Sequence, residues 1–145
     1  MDNPQQSISL IRRYFEELFN KGNLDICDEL LAQNLKITDP ARTSINSGSD
    51  AYKKLQRMYQ EAFPNRKVKI DDILAANDKV VVRWTLQATH KGNLDDISAT
   101  NKPVKITGIS IYRLANGKIS EIWQNWDRLS LLEQIGEIQP AHALH

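Results

Sequence analysis

The chain is short of the residues that most simple sites are built from. Cys27 is the one cysteine in 145 residues, which excludes an intramolecular disulfide and any zinc set built on thiolates. Its neighbours Leu24, Leu30 and Leu31 mark it as a small buried hydrophobe rather than a nucleophile. Charge is nearly balanced: 19 basic and 18 acidic side chains leave a net charge of +1. Nothing in that balance draws the chain to nucleic acid or to an anionic membrane, and neither is expected as a partner. The basic pairs Arg12-Arg13, Lys53-Lys54 and Arg66-Lys67 are short, lie near acidic residues and read as solvated surface. No apolar run approaches membrane-spanning length. Met1 to Ser7 has neither the basic nor the apolar region of a signal peptide, so a soluble, cytoplasmic protein is expected. There is no G-x-S-x-G, H-E-x-x-H, Walker A loop or dinucleotide fingerprint, and neither a metal nor an organic cofactor is expected.

What is present patterns as one α+β domain over residues 1–136, followed by a loose tail at 137–145 that holds two of the three histidines. Ile8, Ile11, Phe15, Leu18 and Phe19 recur at helical spacing, with Ser7 as the expected N-cap and Gly22 as the stop. Leu24 to Leu31 reads as a second, shorter helix, and Leu35 to Pro40 as a short strand into a turn. A third helix, capped by Ser49 or Asp50, carries Tyr52, Leu55, Tyr59 and Phe63 and stops at Pro64. The remainder is strand: 67–76 and 79–89 joined at Asn77-Asp78, then 104–114 and 118–126 around Ala115-Asn116-Gly117. Asp127 caps a final helix that ends at Gly136. Helices first and strands later predict a curved antiparallel sheet wrapped around the N-terminal helices, a cone whose mouth suits a small ligand.

The last hairpin constrains the site. A three-residue loop pairs Leu114 with Lys118 and makes Gln124 the diagonal same-face neighbour of Ser110. Gly108, Ser110, Tyr112, Ser120, Ile122, Gln124 and Trp126 then share one face, and Ile109, Ile111, Ile119, Glu121 and Trp123 the other. A two-residue turn shifts the pairing by one and mixes both sets. Two apolar faces both want cover: one lines a pocket, and the other suits a second copy of the chain. Asp39, before Pro40, is placed at the mouth of the cone or in an Asx-turn. His90 is the one histidine placed to act, or else a structural residue at a strand end. Asp71 and Asp72 are adjacent on a strand, so at most one looks inward. Trp84, Trp123 and Trp126 read first as core or interface, with a pocket wall as the alternative.

Several stretches together resemble the SnoaL-like polyketide cyclases of the nuclear transport factor 2-like superfamily. They are Ile11 to Gly22, Phe63-Pro64, Thr89-His90-Lys91-Gly92, Gly108 to Arg113, Asn116 to Ile119, and Asp127 with Leu131 to Gly136. The resemblance implies a cone-shaped α+β barrel and aldol-type cyclisation of an apolar carbonyl compound without cofactor. It also implies an acid/base Asp on the last strand, helped by a His on the strand before. Matched along the chain, these fall on Gln124 and Ser110. The loop Asp95 to Asn101 departs from the family pattern while keeping Thr100, so the rim and the ligand are expected to differ. An amide cannot titrate, although Gln124 can still hydrogen-bond a ligand carbonyl. Asp39, His90 or an inward Asp72 is left as the base. The expected pocket is Ser110, Tyr112, Ile122, Gln124 and Trp126, and the expected assembly is a homodimer. Three readings stand: a cyclase or isomerase with a relocated base, a non-catalytic binder of an apolar small molecule, or a dimeric interaction module.

Overall fold

A computed structural model describes residues 3–140; the tail histidines His142 and His145 lie outside them. Helix α1 spans Pro4–Phe15 and continues as a π-helical turn, Glu16–Asn20. Its cap is Asn3, not Ser7: the Asn3 side chain accepts from the Gln6 amide at 2.8 Å, and Pro4 fills the first helical position. Ser7 lies a turn further in and is buried. After α2 (Ile26–Leu30) comes β1 (Leu31–Thr38). Helix α3 (Ser49–Ala62) begins after Gly48, whose φ of +95° lets the chain turn into the helix; neither Ser49 nor Asp50 is its cap. Strands β2 (Lys67–Ala76), β3 (Lys79–Thr89), β4 (Pro103–Ala115) and β5 (Lys118–Trp126) follow. Asp127 caps α4 (Arg128–Gln134), its carboxylate accepting from the Ser130 amide at 2.9 Å.

The sheet order is β1-β5-β4-β3-β2. It is curved and unclosed, because β1 and β2 occupy opposite edges. Pairing is antiparallel except at one edge, where β1 runs parallel to β5 with Ile37 beside Ile122 and Thr38 beside Trp123. The strand pattern predicts an all-antiparallel sheet. The exception arises because β1 precedes α3 in the chain and reaches β5 across a long connection, which short-range pattern does not encode.

The β4–β5 turn is the two-residue form. Asn116 and Gly117 both have positive φ, 55° and 74°, and Ala115 pairs with Lys118. A bulge then follows: Leu114 pairs with Ile119 but Arg113 with Glu121, leaving Ser120 as the extra residue. The turn and the bulge each shift the pairing by one, so the original faces are restored beyond Ser120. Tyr112 faces Ile122, Ser110 faces Gln124 and Gly108 faces Trp126. Two expectations change. Ile119 belongs to the inner face and is fully buried, not part of the outer one. Ser120 leaves the pocket set, its hydroxyl donating to the Arg113 carbonyl at 3.3 Å.

The core lies between the helices and the inner face. Ile11, Leu18, Ile119 and Ile122 are fully buried, each worth roughly 1.5–3 kcal/mol of apolar burial. Tyr14 and Tyr112 meet edge to face at 5.8 Å. A second cluster joins Phe63, Leu94, Ile106, Leu131 and Ile135 around the end of α3 and α4. On the outer face one row crosses four strands, Leu74, Val81, Ile111 and Trp123. Leu74 and Ile109 on this face are half exposed, and the Arg113 guanidinium covers the Trp123 ring at 5.4 Å. No helix among the described residues is long and apolar enough to cross a membrane.

Candidate functional site

A cavity of about 80 Å³ lies between the helices and the inner face of the sheet, room for roughly 3 waters at liquid density. Phe15, Phe19 and Tyr52 close it from the helices, and Trp84, Leu86 and Ile106 from the sheet. The polar or charged residues Gln56, Tyr59, Arg66, Ser110, Tyr112 and Gln124 complete the lining. Four of the five expected pocket residues, Ser110, Tyr112, Gln124 and Trp126, line it. Ile122 shares their face but packs deeper, in the main core.

Ser110 and Gln124 sit directly opposite each other, a closer pairing than the diagonal one expected. The Ser110 hydroxyl accepts from the Trp84 indole N–H at 3.0 Å. That contact needs Gly108, because a Cβ there falls 2.2 Å from the Trp84 ring.

Asp39 reaches the same place from the other side of β5. The parallel register that sets Thr38 beside Trp123 carries the next residue alongside Gln124. Gln124 Nε2 donates to Asp39 Oδ2 at 2.8 Å, and Trp126 Nε1 donates to the same oxygen at 3.1 Å. Oδ1 accepts from the Ala41 amide at 2.9 Å, which is an Asx-turn. The Asx-turn reading of Asp39 therefore holds. The carboxylate is 5% exposed and stands behind the cavity wall, with Gln124 and Trp126 between it and the free space. The donation to Asp39 fixes the Gln124 amide, leaving its oxygen and second N–H for the cavity.

His90 is elsewhere. It is fully buried in the second cluster, tilted against Phe63 at 5.4 Å, and does not line the cavity. Its Nδ1 lies 3.0 Å from the Thr100 hydroxyl and 3.3 Å from the Thr100 amide nitrogen, and its Nε2 is buried without a partner among the described residues. Burial lowers its pKa. Together with the His90–Lys102 and Asn101–His90 backbone bonds, these contacts close the base of the 90–102 loop. Thr100 is thus the partner of His90. Asp72 is exposed rather than inward. Asp71, at a bulge in β2, accepts from the Thr85 hydroxyl at 2.5 Å on the outer side.

Two features go beyond the expected site, the contacts of Arg42 and the burial of Arg66. Arg42, from the loop after β1, grips Asp95 with Nη2 and Nη1, at 2.7 and 3.2 Å, and donates through Nε to the Tyr59 hydroxyl at 3.0 Å. The divergent 95–101 loop is thereby strapped over the cavity's Tyr59. The bond to Asp95 also raises the Arg42 pKa. Arg66, expected on the surface, is buried, at 5% exposure. Its Nη1 donates to Gln56 Oε1 at 3.1 Å, and its guanidinium lies over the Phe19 ring at 5.1 Å. Burial lowers its pKa. Nε and Nη2 are buried with no acceptor within reach among the described residues. The signal for its burial is present in the sequence: strand alternation puts Arg66 in phase with Val68 and Ile70, opposite to Lys67.

Among the described residues, the cavity wall thus holds no carboxylate and no imidazole, and one guanidinium. Among the described residues, no three His, Cys, Asp or Glu side chains converge to hold a metal ion. Cys27 is fully buried, and burial pushes its thiol up to about 11.

The SnoaL-like polyketide cyclase family model matches residues 9–135, and the chain belongs to that family. No functionally curated protein matches it significantly. A crystal structure described as a candidate polyketide cyclase from Acidithiobacillus ferrooxidans is 25% identical with a TM-score of 0.82, over 93% of this chain and 97% of that one. IdmH from Streptomyces antibioticus, described in the same way, is 25% identical with a TM-score of 0.76, over 90% and 99%. AclR from Streptomyces galilaeus, described as a candidate hydroxylase, is 21% identical with a TM-score of 0.84, over 94% and 99%. One fold thus carries differently described chemistries, and the function must be argued from the site.

Proposed function

We propose that the chain binds a compact, largely apolar carbonyl compound in this cavity and moves a proton on it, in an aldol-type cyclisation or an isomerisation. Asp39 is the acid/base and Gln124 its positioning partner; neither a metal nor an organic cofactor is required. One observation carries this reading. The buried Asp39 carboxylate lies 2.8 Å from the amide that stands where the family's acid/base falls. The carboxylate has moved from β5 to the end of the neighbouring β1 and remains one side chain from the expected position. A rotation of Gln124 exposes it to a carbon acid in the cavity. Ser110, also at a family position, has a hydroxyl proton available for the enolate oxygen.

A second reading has its own observation. Asp39 does not line the cavity, and both its oxygens are occupied by protein donors. That arrangement equally suits a non-catalytic binder of an apolar small molecule. Exchange of α-protons in 2-tetralone, followed by NMR in D₂O, separates the two. The first reading predicts acceleration by the wild-type protein and a loss of roughly 10²-fold or more in Asp39→Asn. Unchanged exchange in Asp39→Asn removes Asp39 as the base. Binding of tetralone without acceleration favours the binder.

We place this activity in the cytoplasm and in a homodimer. The support for the dimer is the apolar row Leu74, Val81, Ile111 and Trp123 on the outer face, with half-exposed Ile109 beside it. A contiguous patch of that kind is unfavourable in water. Trp123→Glu is expected to convert the dimer to a monomer in sedimentation at micromolar concentration. A wild-type monomer under those conditions excludes the assembly.

A further inference from the structure

We propose that the ligand of this cavity carries a carboxylate, and that Arg66 binds it side-on through Nε–H and Nη2–H. The proposal rests on the small-molecule reading above and names the class of molecule. Nε and Nη2 form the edge of a guanidinium that presents two parallel donors at the spacing of carboxylate oxygens. In Arg66 these two atoms lack a protein acceptor among the described residues, while Nη1 is already held by Gln56 and the ring face by Phe19. The free edge is thus the one suited to bidentate recognition.

A buried guanidinium without a counter-charge is unfavourable. The surroundings do not supply that charge. Tyr14, Tyr52 and Cys27, the groups nearest in electrostatic influence, all have pKa values raised by burial and stay protonated near neutral pH. The chain also holds Arg66 in place rather than letting it escape to water. Asn20, at the end of the π-helical turn, takes both backbone groups of Val68, at 2.7 and 3.1 Å. Lys67 Nζ donates to the Asn20 carbonyl at 2.9 Å, and the Arg66 amide donates to the Phe63 carbonyl at 3.1 Å. The corner between α3 and β2 is pinned by these contacts around Arg66. A charge held so firmly where it destabilises the empty protein is expected where a ligand completes the pair. The aromatic walls then take the apolar body, and Gln124 with Ser110 meets a second polar group. The class is an oxo-acid with an aromatic or alkyl body.

Calorimetric titration with benzoate and 2-naphthoate, against benzamide and 2-naphthamide, tests this. Each acid is expected to bind the wild-type protein at least tenfold more tightly than its amide. Arg66→Met should abolish that preference and keep amide binding. In case Arg66→Met does not fold, the Arg66 Nε–H resonance of the wild-type protein serves: benzoate at saturation should shift it downfield. Equal binding of acid and amide, a preference that survives in Arg66→Met, or an unmoved Nε–H resonance overturns the carboxylate while leaving a small-molecule pocket intact. If none of the four binds at millimolar concentration, both readings fall together.

Discussion

The cavity has two polar patches, and they are built on opposite terms. Around Asp39 the buried hydrogen-bonding groups satisfy one another: two side-chain donors meet one carboxylate oxygen, and a backbone amide meets the other. Around Arg66 two buried donors have no protein acceptor among the described residues. A satisfied cluster contributes to stability without any ligand. An unsatisfied one subtracts from it until a partner arrives. On the proposed reading, the first patch is where the protein organises its reactive groups, and the second is where it recognises its ligand. In the first patch Gln124 donates to Asp39 at 2.8 Å, the contact on which the proposed acid/base role of Asp39 rests.

Substitutions can break this contrast from either side. The largest effect is expected from Asp39→Ala, which leaves the Gln124 amide and the Trp126 indole without their acceptor. At roughly 1–3 kcal/mol for each buried unsatisfied donor, the loss in urea unfolding should be about 3 kcal/mol. A loss near zero means that water replaces the carboxylate and the patch is open.

A smaller effect with a definite sign is expected from Gln124→Asp. It places a second carboxylate beside the buried Asp39, and like charges in one site raise the apparent pKa of the pair. A raised native pKa means that the folded state holds more protons than the unfolded chain. The variant is then relatively stable at low pH and loses ground as pH rises. Its deficit against wild type should grow by more than about 1 kcal/mol between pH 5 and pH 8, since a tenfold change in proton affinity is worth about 1.4 kcal/mol. A deficit equal at both pH values places position 124 in water.

Much of the first patch is legible in the sequence, and little of the second. Strand alternation on β4 and β5 groups Ser110, Tyr112, Gln124 and Trp126 correctly, because the one-residue shifts of the turn and of the bulge cancel beyond Ser120. The bulge at Ser120 is not legible, and it moves Ile119 inward; one extra residue in a ladder leaves no mark on an apolar pattern. Asp39 stands out in the sequence, but its partner does not. Their contact spans 85 positions and depends on the parallel edge pairing of β1 with β5. The helix caps fall at Asn3 and Gly48, away from the expected positions, since Ser7, Ser49 and Asp50 offer side chains of the same capping kind close by. Arg66 is hidden because a dibasic pair after a Pro turn resembles surface. The alternation that buries Val68 nonetheless extends to it.

The most direct test of the contrast compares the unfolding free energies of ligand-free Asp39→Ala and Arg66→Met with that of wild type under one set of conditions. Asp39→Ala should be strongly destabilised, and Arg66→Met should be as stable as wild type or more so, because it removes a buried charge that lacks a counter-ion. Comparable destabilisation of both variants would contradict the account, since it would mean that the Arg66 guanidinium is already satisfied within the folded chain.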